Sequence, residues 1–324
     1  MRILFAGSPG IAVLSLKTLD ENSGFTLAGL LTNPDSPKGR SGNPEPTECA
    51  AAAADFFGDS VPVLKPEKLD GTARSLVSEL KPDILVSFAY GKIFGPKFLS
   101  LFPMGGINIH PSLLPKYRGP TPIPAAIINR DSETGITIQR LAEQMDSGDI
   151  LVQESMPLNG RETTACLNKT MSEKAAELLV PVLKQIAAGT SQTKAQDHHS
   201  ATYCHLIKKE DGIINWQQSA IEIDARIRAF NPWPLSLTKH RDLELFILKA
   251  EPFEATLQTD VPHSSFLIPN LPGKVLGKDN NKGILIQTGE GILAVCELQY
   301  RSKKALEWKT FLNGARNFIG AKLG

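Results

Sequence analysis

The chain has 324 residues and an almost balanced charge, with 35 lysines and arginines against 34 acidic residues and a formal net charge of +1. This length exceeds the ~100–200 residues of a usual domain, so we expect two domains and a large buried core. No apolar run approaches the ~18 residues of a membrane-spanning helix, and the apolar N-terminus is too short for a signal peptide. We therefore expect a cytoplasmic protein without a membrane partner. The four scattered cysteines, with no Cys-x-x-Cys, favour reduced thiols and argue against a structural zinc.

The first ninety residues alternate strand and helix patterns. An apolar strand over 2–6 is followed by the turn Gly7-Ser8-Pro9-Gly10, a helical pattern over 11–19 and a second strand over 25–32. This order is typical of a parallel sheet. Backbone amides at a strand-to-helix turn can bind phosphate, but the glycines lack the full dinucleotide fingerprint, so a tight turn is the favoured interpretation.

Residues 33–47 have the most loop-like sequence of the chain. They read Asn-Pro-Asp-Ser-Pro-Lys-Gly-Arg-Ser-Gly-Asn-Pro-Glu-Pro-Thr. Proline and glycine at this density predict an exposed loop with neither a helix nor a paired strand. Loops of this length are functional unusually often, although a plain connector is the alternative.

The alternation continues to residue 187. The pattern predicts helices over 50–57, 72–80 and 163–187, and strands over 61–64, 83–89, 135–141 and 150–154. The 83–89 strand is apolar enough to be buried on both faces. Tyr90 and Gly91 follow its C-terminal end, which is where open parallel sheets bind ligands.

The segment from Gly105 to Gly119 carries the strongest chemical pattern. Ile107 and Ile109 alternate with Asn108 and His110, so a short strand would place both polar side chains on one face. An amide beside an imidazole suits acyl transfer, because one group can hold an oxyanion while the other handles a proton. By spacing alone, a satisfied hydrogen-bonding pair is the more frequent interpretation of Asn-x-His.

A carboxylate that could orient the imidazole is available in the turn Asp146-Ser147-Gly148-Asp149. Beyond it, residues 190–205 are polar, show little periodicity and are predicted to be a linker. The pair His198-His199 lacks ligand spacing, so we expect solvated surface rather than a metal site.

The last part of the chain has a different texture. Short strands are predicted over 213–216, 243–248, 273–276, 283–288 and 292–298, with a helix over 220–230. Five short strands in about a hundred residues suit a small barrel such as an OB-fold, which commonly binds oligonucleotides. Asn231-Pro232-Trp233-Pro234 is a rigid helix stop with an aromatic anchor.

Together these motifs resemble a known superfamily. Asn-x-His-Pro-Ser-Leu-Leu-Pro from Asn108 to Pro115, then Arg118-Gly119 and the Asp-Ser-Gly-Asp turn, resemble the folate-dependent formyltransferases and hydrolases. The resemblance implies a Rossmann-like, mostly parallel α/β domain over 1–189, the linker 190–205 and an OB-like, tRNA-binding β-barrel domain over 206–324. It covers nearly the whole chain.

The resemblance is sharpest to the two-domain members that act on methionyl initiator tRNA. Their insertion Pro-Asp-x-Pro-x-Gly-Arg matches Pro34 to Arg40, and the Asn-Pro-Trp-Pro turn and Lys208-Lys209 match as well. This implies that Arg40, Lys208 and Lys209 bind tRNA. The expected partners are initiator methionyl-tRNA and folate, with the enzyme a monomer.

The resemblance also implies a role for each residue of the site. N10-formyltetrahydrofolate would donate its formyl group to the methionine α-amino group, without a metal. Asn108 and His110 would hold the oxyanion, while Asp146 would orient His110, support its positive charge and help take the amine's proton. The residues expected to contact folate are Ser112, Leu113, Leu114, Pro115, Tyr90 and Gly91.

Two rival functions would use the same three residues, Asn108, His110 and Asp146, which we call the triad. A formyltransferase that acts on an amino-sugar nucleotide would not need the Arg40 loop, and a formyltetrahydrofolate hydrolase would use water as the acceptor. A catalytically silent RNA-binding protein is disfavoured because the triad is complete. The extra C-terminal domain argues against the one-domain formyltransferases of purine synthesis.

Overall fold

The computed structural model describes residues 1–19, 24–37, 42–254 and 271–324. The chain forms two compact units, one comprising 1–123, 133–157 and 166–206, the other 124–132, 158–165 and 207–324. Among the described residues, no helix is long and apolar enough to cross a bilayer.

The first part of the chain alternates strands and helices, as predicted. In chain order its elements are β1 (Arg2–Gly7), α1 (Val13–Lys17), β2 (Thr26–Leu31), β3 (Ser36–Pro37), β4 (Pro44–Glu45), α2 (Glu48–Phe57), β5 (Val63–Leu64), α3 (Gly71–Glu79), β6 (Ile84–Phe88), α4 (Pro96–Leu99), β7 (Gly106–His110), α5 (Pro122–Ile128), β8 (Glu133–Arg140), β9 (Ile150–Pro157) and α6 (Thr164–Ala187). Each predicted strand and helix of this region is present within a few residues of its predicted bounds.

Seven of these strands form one sheet in the order β5-β2-β1-β6-β7-β8-β9. The first five strands in this order, from β5 to β7, are mutually parallel, whereas β8 is antiparallel to both of its neighbours, β7 and β9. All five residues of β6 are buried, as the apolar run predicts for a central parallel strand. The mostly parallel Rossmann-like fold is therefore confirmed, and β7, which carries Asn108 and His110, lies between β6 and β8.

Two proline-rich segments are more regular than the sequence suggests. Residues 33–47 were predicted to contain no paired strand, yet Ser36 pairs with Glu45 and Pro37 with Pro44. Proline removes a donor but keeps its carbonyl acceptor, so it limits this exposed pair to two residues rather than forbidding it. Similarly, helix α5 begins at Pro122, because N–H groups in the first turn of a helix have no intrahelical partner to lose.

The second unit is rich in antiparallel strands. Its elements are α7 (Ala220–Ala229), β10 (Ser236–His240), β11 (Leu243–Phe253), β12 (Val275–Asp279), β13 (Gly283–Gln287), β14 (Ile292–Tyr300), β15 (Leu306–Glu307) and α8 (Trp308–Gly314). The strand order is β10-β11-β14-β13-β12, with β15 paired to β14. A buried core that includes Trp216, Ile223, Val295 and Phe318 lies against this sheet.

The C-terminal residues connect both outer ends of this sheet. Gly324 N donates to Lys239 O of β10 at 3.0 Å, and Leu323 N donates to Gly273 O, before β12, at 2.9 Å. Backbone bridges join His240 to Leu323 and Lys274 to Lys322. A small β-rich domain is therefore confirmed, while its assignment to the OB type stays a prediction.

One predicted strand of this unit is wrong, and the strands β10 and β15 and the helix α8 were missed. Trp233, expected to be an aromatic anchor, is 57% exposed, so that expectation is wrong too. Residues 213–216 form no strand and make one isolated bridge, from Ile213 to Leu237. The longer of the two missed strands is β10, whose inward residues are the polar Ser236, Thr238 and His240. A buried polar face gives no apolar alternation, so the pattern did not reveal it.

Residues 190–205, predicted as a linker, are not a free tether. Lys194 and Ile150, at the start of β9, exchange two backbone hydrogen bonds of 2.8 Å, and Tyr203 bridges to Arg118. The first compact unit extends to Leu206. The polar composition of this segment does not predict its packing, because the contacts are made mainly by backbone and amide groups.

Candidate active site

Strand β7 delivers Asn108 and His110 to one face of the sheet. Asn108 lies opposite Ser87 of β6 and Gln139 of β8, and His110 lies opposite Thr137. Asn108 is half-buried, while His110 is 4% exposed. Both side chains are thus presented beside the antiparallel partner β8, at the C-terminal end of the parallel strands.

The turn after β8 brings Asp146 back to this face. Asp146 has a φ of +51°, and its side chain is 12% exposed. Gly148 permits the turn to lie against β8, because a Cβ there would be 1.9 Å from the carbonyl oxygen of Arg140. Asp149 is exposed, and its carbonyl accepts a 2.9 Å bond from Arg140 N.

Three donors converge on the Asp146 carboxylate. Its Oδ1 accepts from Asn108 Nδ2 at 3.2 Å and from Gln139 Nε2 at 3.1 Å. Its Oδ2 accepts from the backbone N–H of Gly119 at 2.8 Å. Gly119 has a φ of +113°, and a Cβ there would lie 2.4 Å from the carbonyl oxygen of Cys204, so glycine is required at this donor.

His110 faces acceptors on both sides of its ring. Its Nδ1 lies 3.6 Å from Asp146 Oδ2, and its Nε2 lies 2.8 Å from the carbonyl oxygen of Tyr117. A carbonyl only accepts, so Nε2 carries a proton, and a second proton on Nδ1 would complete an imidazolium between two acceptors. An oxygen held at Nε2 has to replace the Tyr117 carbonyl.

The loop predicted to contact folate, residues 112–115, is held in place by hydrogen bonds from β8 and β9. Ser112 Oγ donates to Lys116 O at 2.6 Å, and Leu114 is buried. Thr137 Oγ1 donates to Ser112 O at 2.7 Å, and Gln153 Nε2 donates to Leu114 O at 2.9 Å. Leu113 and Pro115 are half-buried, which leaves them the more accessible members of the loop.

Tyr90 and Gly91 lie at the end of β6, with the Tyr90 side chain directed into the core. The Tyr90 ring is 1% exposed and stacks on Phe94 at a centroid distance of 5.5 Å. Burial raises the pKa of its hydroxyl to about 12. Its carbonyl accepts from Asn33 Nδ2 at 2.8 Å. A ligand contact by Tyr90 is therefore limited to its backbone, and the neighbouring Gly91 is exposed and has a φ of +84°.

The structure describes two of the three residues that are predicted to bind tRNA. Arg40 lies outside the described residues. Lys208 and Lys209 are exposed at the start of a short 3-10 turn that belongs to the second unit. No cluster of metal-ligating side chains occurs within the described ranges.

Three polar residues support the triad; sequence reasoning missed Gln139 and Gln196, and it named Arg118 only as part of the family motif. Gln139 holds Asp146 Oδ1, Gln196 contacts both Gln139 and the Asp146 turn, and Arg118 contacts Gln196. All three are at most 6% exposed. The alternation of Thr137 and Gln139 with Ile136 and Ile138 could have placed Gln139 on the polar face of its strand. Its position opposite Asn108 depends on the β7–β8 register, which only the structure shows, and no local signal marks Gln196.

Comparison with known proteins matches both parts of the chain. Residues 1–183 match the formyl transferase family and residues 206–316 its C-terminal domain. The chain is 46% identical to a methionyl-tRNA formyltransferase from Treponema denticola over 98% of each chain.

Solved structures show the same fold at low identity. HypX from Aquifex aeolicus in complex with tetrahydrofolic acid has a TM-score of 0.61 at 16% identity, over 98% of this chain and 48% of that one. An N-formyltransferase from Helicobacter canadensis in complex with folinic acid and dTDP-3-aminofucose has a TM-score of 0.63 at 20% identity, over 90% and 98% of the two chains.

Proposed function

The chain belongs to the formyl transferase family, and we infer that it transfers the formyl group of N10-formyltetrahydrofolate to the α-amino group of methionyl initiator tRNA. Full-length identity to relatives named for this activity supports the acceptor. Both family domains and the complete triad support the chemistry.

One observation supports the chemistry most directly: Asn108, His110 and Gly119 N all surround a single, largely buried carboxylate. The distances from Asp146 to these groups are 2.8 to 3.6 Å. Such convergence of an amide, an imidazole and a carboxylate is what formyl transfer to an amine requires, because negative charge develops on the formyl oxygen while the amine must lose a proton.

Within this proposal each residue of the triad has its own role. Asn108, which is half-buried and has an N–H beyond the one bonded to Asp146, donates to the formyl oxygen as it gains charge. His110 adds a second donor and positive charge there once its Nε2 exchanges the Tyr117 carbonyl for that oxygen. Asp146 holds the His110 ring, stabilises its imidazolium form and takes the amine's proton directly or through water.

The donor is expected to lie along the loop that β8 and β9 fix. Leu113 and Pro115 offer accessible side chains, and the backbone at Tyr90 and Gly91 offers polar groups at the end of β6. Ser112 and Leu114 act by shaping the loop, because Ser112 Oγ is bonded to Lys116 O and Leu114 is buried. N10-formyltetrahydrofolate supplies the activated formyl group as a cosubstrate. As the amide bond to the methionine nitrogen forms, the bond between the formyl carbon and N10 would break, and N10 would take up a proton to leave as tetrahydrofolate.

The remaining assignments extend the proposal to the whole chain. Residues 1–189 form the catalytic domain and 206–324 an OB-like tRNA-binding domain, joined through 190–205. Arg40, Lys208 and Lys209 contact tRNA. The enzyme acts in the cytoplasm as a monomer, which sedimentation of the purified protein would check.

The experiment that tests this function is a formyl-transfer assay with three acceptors in parallel. N10-formyltetrahydrofolate is offered with methionyl initiator tRNA, with an amino-sugar nucleotide or with water alone, each at two salt concentrations. We expect formylation of the aminoacyl-tRNA only, weakened by salt because phosphate contacts release counterions. Turnover with the sugar or with water instead would replace the proposed acceptor and keep the triad chemistry.

A further inference from the structure

Gln196 is a buried side chain in an otherwise exposed stretch. Residues 192–200 are all exposed except Gln196, which is 6% exposed. A buried amide is costly unless its N–H and C=O groups find partners. The partners of Gln196 therefore show why this residue turns inward from the segment between the two family domains.

The donor end of the Gln196 amide contacts the Asp146 turn. Its Nε2 lies 3.0 Å from Gln139 Oε1, 2.9 Å from Asp146 O and 2.6 Å from Gly148 O. The two N–H groups of this nitrogen thus serve three acceptors. One contact fixes the Gln139 amide, whose Nε2 then points to Asp146 Oδ1 at 3.1 Å. The other two fix the backbone that carries the Asp146 side chain.

The acceptor end of the amide is held by Arg118. Gln196 Oε1 accepts from Arg118 Nη2 at 2.7 Å and from Nε at 3.2 Å. Arg118 is 2% exposed, and its guanidinium also contacts His198 Nδ1 at 3.0 Å and the Tyr203 hydroxyl at 3.3 Å. Arginine only donates and carbonyls only accept, so these partners permit one orientation of the Gln196 amide.

We propose that Gln196 is a positioning residue of the active site, held by Arg118, which sets both the Gln139 amide and the Asp146 turn so that the carboxylate faces Asn108 and His110. Its consequence for catalysis rests on the formyl-transfer function proposed above. The segment between the two family domains is thereby part of the catalytic machinery rather than a spacer.

The decisive variant is Gln196→Glu, which preserves size. A carboxylate keeps the acceptor for Arg118, so the segment stays anchored, but it replaces the Nε2 donor with an oxygen that faces three acceptors. Gln192→Glu is the matched control, because Gln192 is exposed in the same segment and the change in charge is identical.

In the formyl-transfer assay we expect Gln196→Glu to lower kcat about 10- to 100-fold, as displacement of reacting groups by about an ångström does. The KM values for folate and tRNA should change little, because the variant touches neither binding surface. A merely structural role would lower the amount of folded enzyme and leave its turnover number intact. Equal kcat in Gln196→Glu and Gln192→Glu would overturn the proposal.

A second readout does not depend on turnover. The His110 ring lies 3.6 Å from Asp146, so its nitrogen chemical shifts, assigned with a His110→Gln variant, report the position of the carboxylate. At fixed pH we expect the His110 resonances to move in Gln196→Glu and to stay in place in Gln192→Glu. If the wild type transferred no formyl group, the proposed function would fail while this comparison still decided the role of Gln196.

If Gln196→Glu does not fold, the variant Gln196→Asn tests the same proposal. This variant keeps the amide and shortens the side chain by one methylene, so it cannot reach Arg118 and the turn carbonyls together. The same two readouts apply, with a lower kcat and moved His110 resonances expected. Unchanged values of both would contradict the proposal.

Discussion

At the scale of single residues, the site is a carboxylate surrounded by donors. Asp146 accepts from two side-chain amides and one backbone N–H while lying beside His110. Asn108 and His110 come from β7, Gln139 from β8 and Gly119 from the loop after β7. Because the donors are already in place, the carboxylate needs little reorganisation when charge develops nearby.

Asp146→Asn tests the charge of this carboxylate. Asparagine has nearly the size of aspartate, but its amide points an N–H at groups that already donate, and it cannot act as a base. We therefore expect kcat to fall by at least about 10²-fold, with folate binding largely intact. The measurement is kcat by formyl transfer together with folate affinity by titration. Asp149→Asn is the control, since Asp149 is exposed and its observed backbone contact is kept. Near-normal turnover in Asp146→Asn would refute the assignment.

Gly148→Ala tests how tightly the turn packs on β8. The added Cβ would lie 1.9 Å from Arg140 O, a backbone atom that cannot step aside, so we expect a loss of about 1–3 kcal/mol of stability and a lower kcat. Calorimetry and the formyl-transfer assay measure the two effects. Gly95→Ala is the control because, apart from its chain neighbours, no atom of the described residues lies within 4 Å of its Cβ position, and its φ is −72°. Equal melting temperatures in the two variants would contradict this packing.

At the scale of elements, β10 carries a buried histidine. His240 is 5% exposed, its Nδ1 contacts the Tyr300 hydroxyl at 2.5 Å, and its ring packs edge-on against Phe318 at 4.8 Å. Its Nε2 has no hydrogen-bond partner among the described residues. Burial, with a smaller contribution from Arg241, lowers the pKa of His240 below its ordinary value of 6.5.

This depressed pKa predicts how the stability of the second unit depends on pH. Between the folded and unfolded pKa values the unfolded state binds more protons, so stability falls as the pH drops below about 6.5 and levels off below the folded pKa. All three tryptophans, Trp216, Trp233 and Trp308, lie in this unit, so their fluorescence during urea unfolding isolates it. His240→Gln should flatten the dependence, and an equally steep slope in that variant would exclude His240 as its source.

The elements also show why some predictions from pattern failed. Apolar β6 and the amphipathic helices were found because burial and periodicity coincide there. Strand β10 presents Ser236, Thr238 and His240 inward, where Thr238 Oγ1 accepts from Trp216 Nε1 at 3.0 Å. Tertiary hydrogen bonds make a polar face buriable, and no local pattern contains that information.

At the scale of the whole molecule, substitutions of the exposed Lys208 and Lys209 test the proposal that the chain binds tRNA. Removing one phosphate contact should weaken tRNA binding and reduce the slope of log K against log salt by about one. In the full chain we expect Lys208→Ala and Lys209→Ala each to raise KM for methionyl-tRNA with kcat and the folate KM unchanged. Lys184→Ala, an exposed lysine of α6, is the control, and a KM equal to that of this control would remove Lys208 and Lys209 from the tRNA surface.

The sequence by itself determined the alternating α/β first part, the β-rich second part and the placement of Asn108 and His110 on one face of a strand. These follow from local rules, since periodicity sets secondary structure and a strand of alternating polarity places its polar residues on one face. The role of Asp146 beside them was an implication of the family resemblance and stays a proposal. The motif from Asn108 to Gly119 identified the family because its residues are contiguous in the chain and can be recognised without the fold.

Only the tertiary structure decided how the triad is supported. Gln139, Gln196 and Arg118 come from separate segments and meet around Asp146 through hydrogen bonds, which leave no periodic trace in the chain. It also showed Tyr90 directed into the core and the segment 190–205 packed against the first unit. Contacts between residues tens of positions apart depend on register and burial, which are properties of the assembled fold and not of any one stretch of sequence.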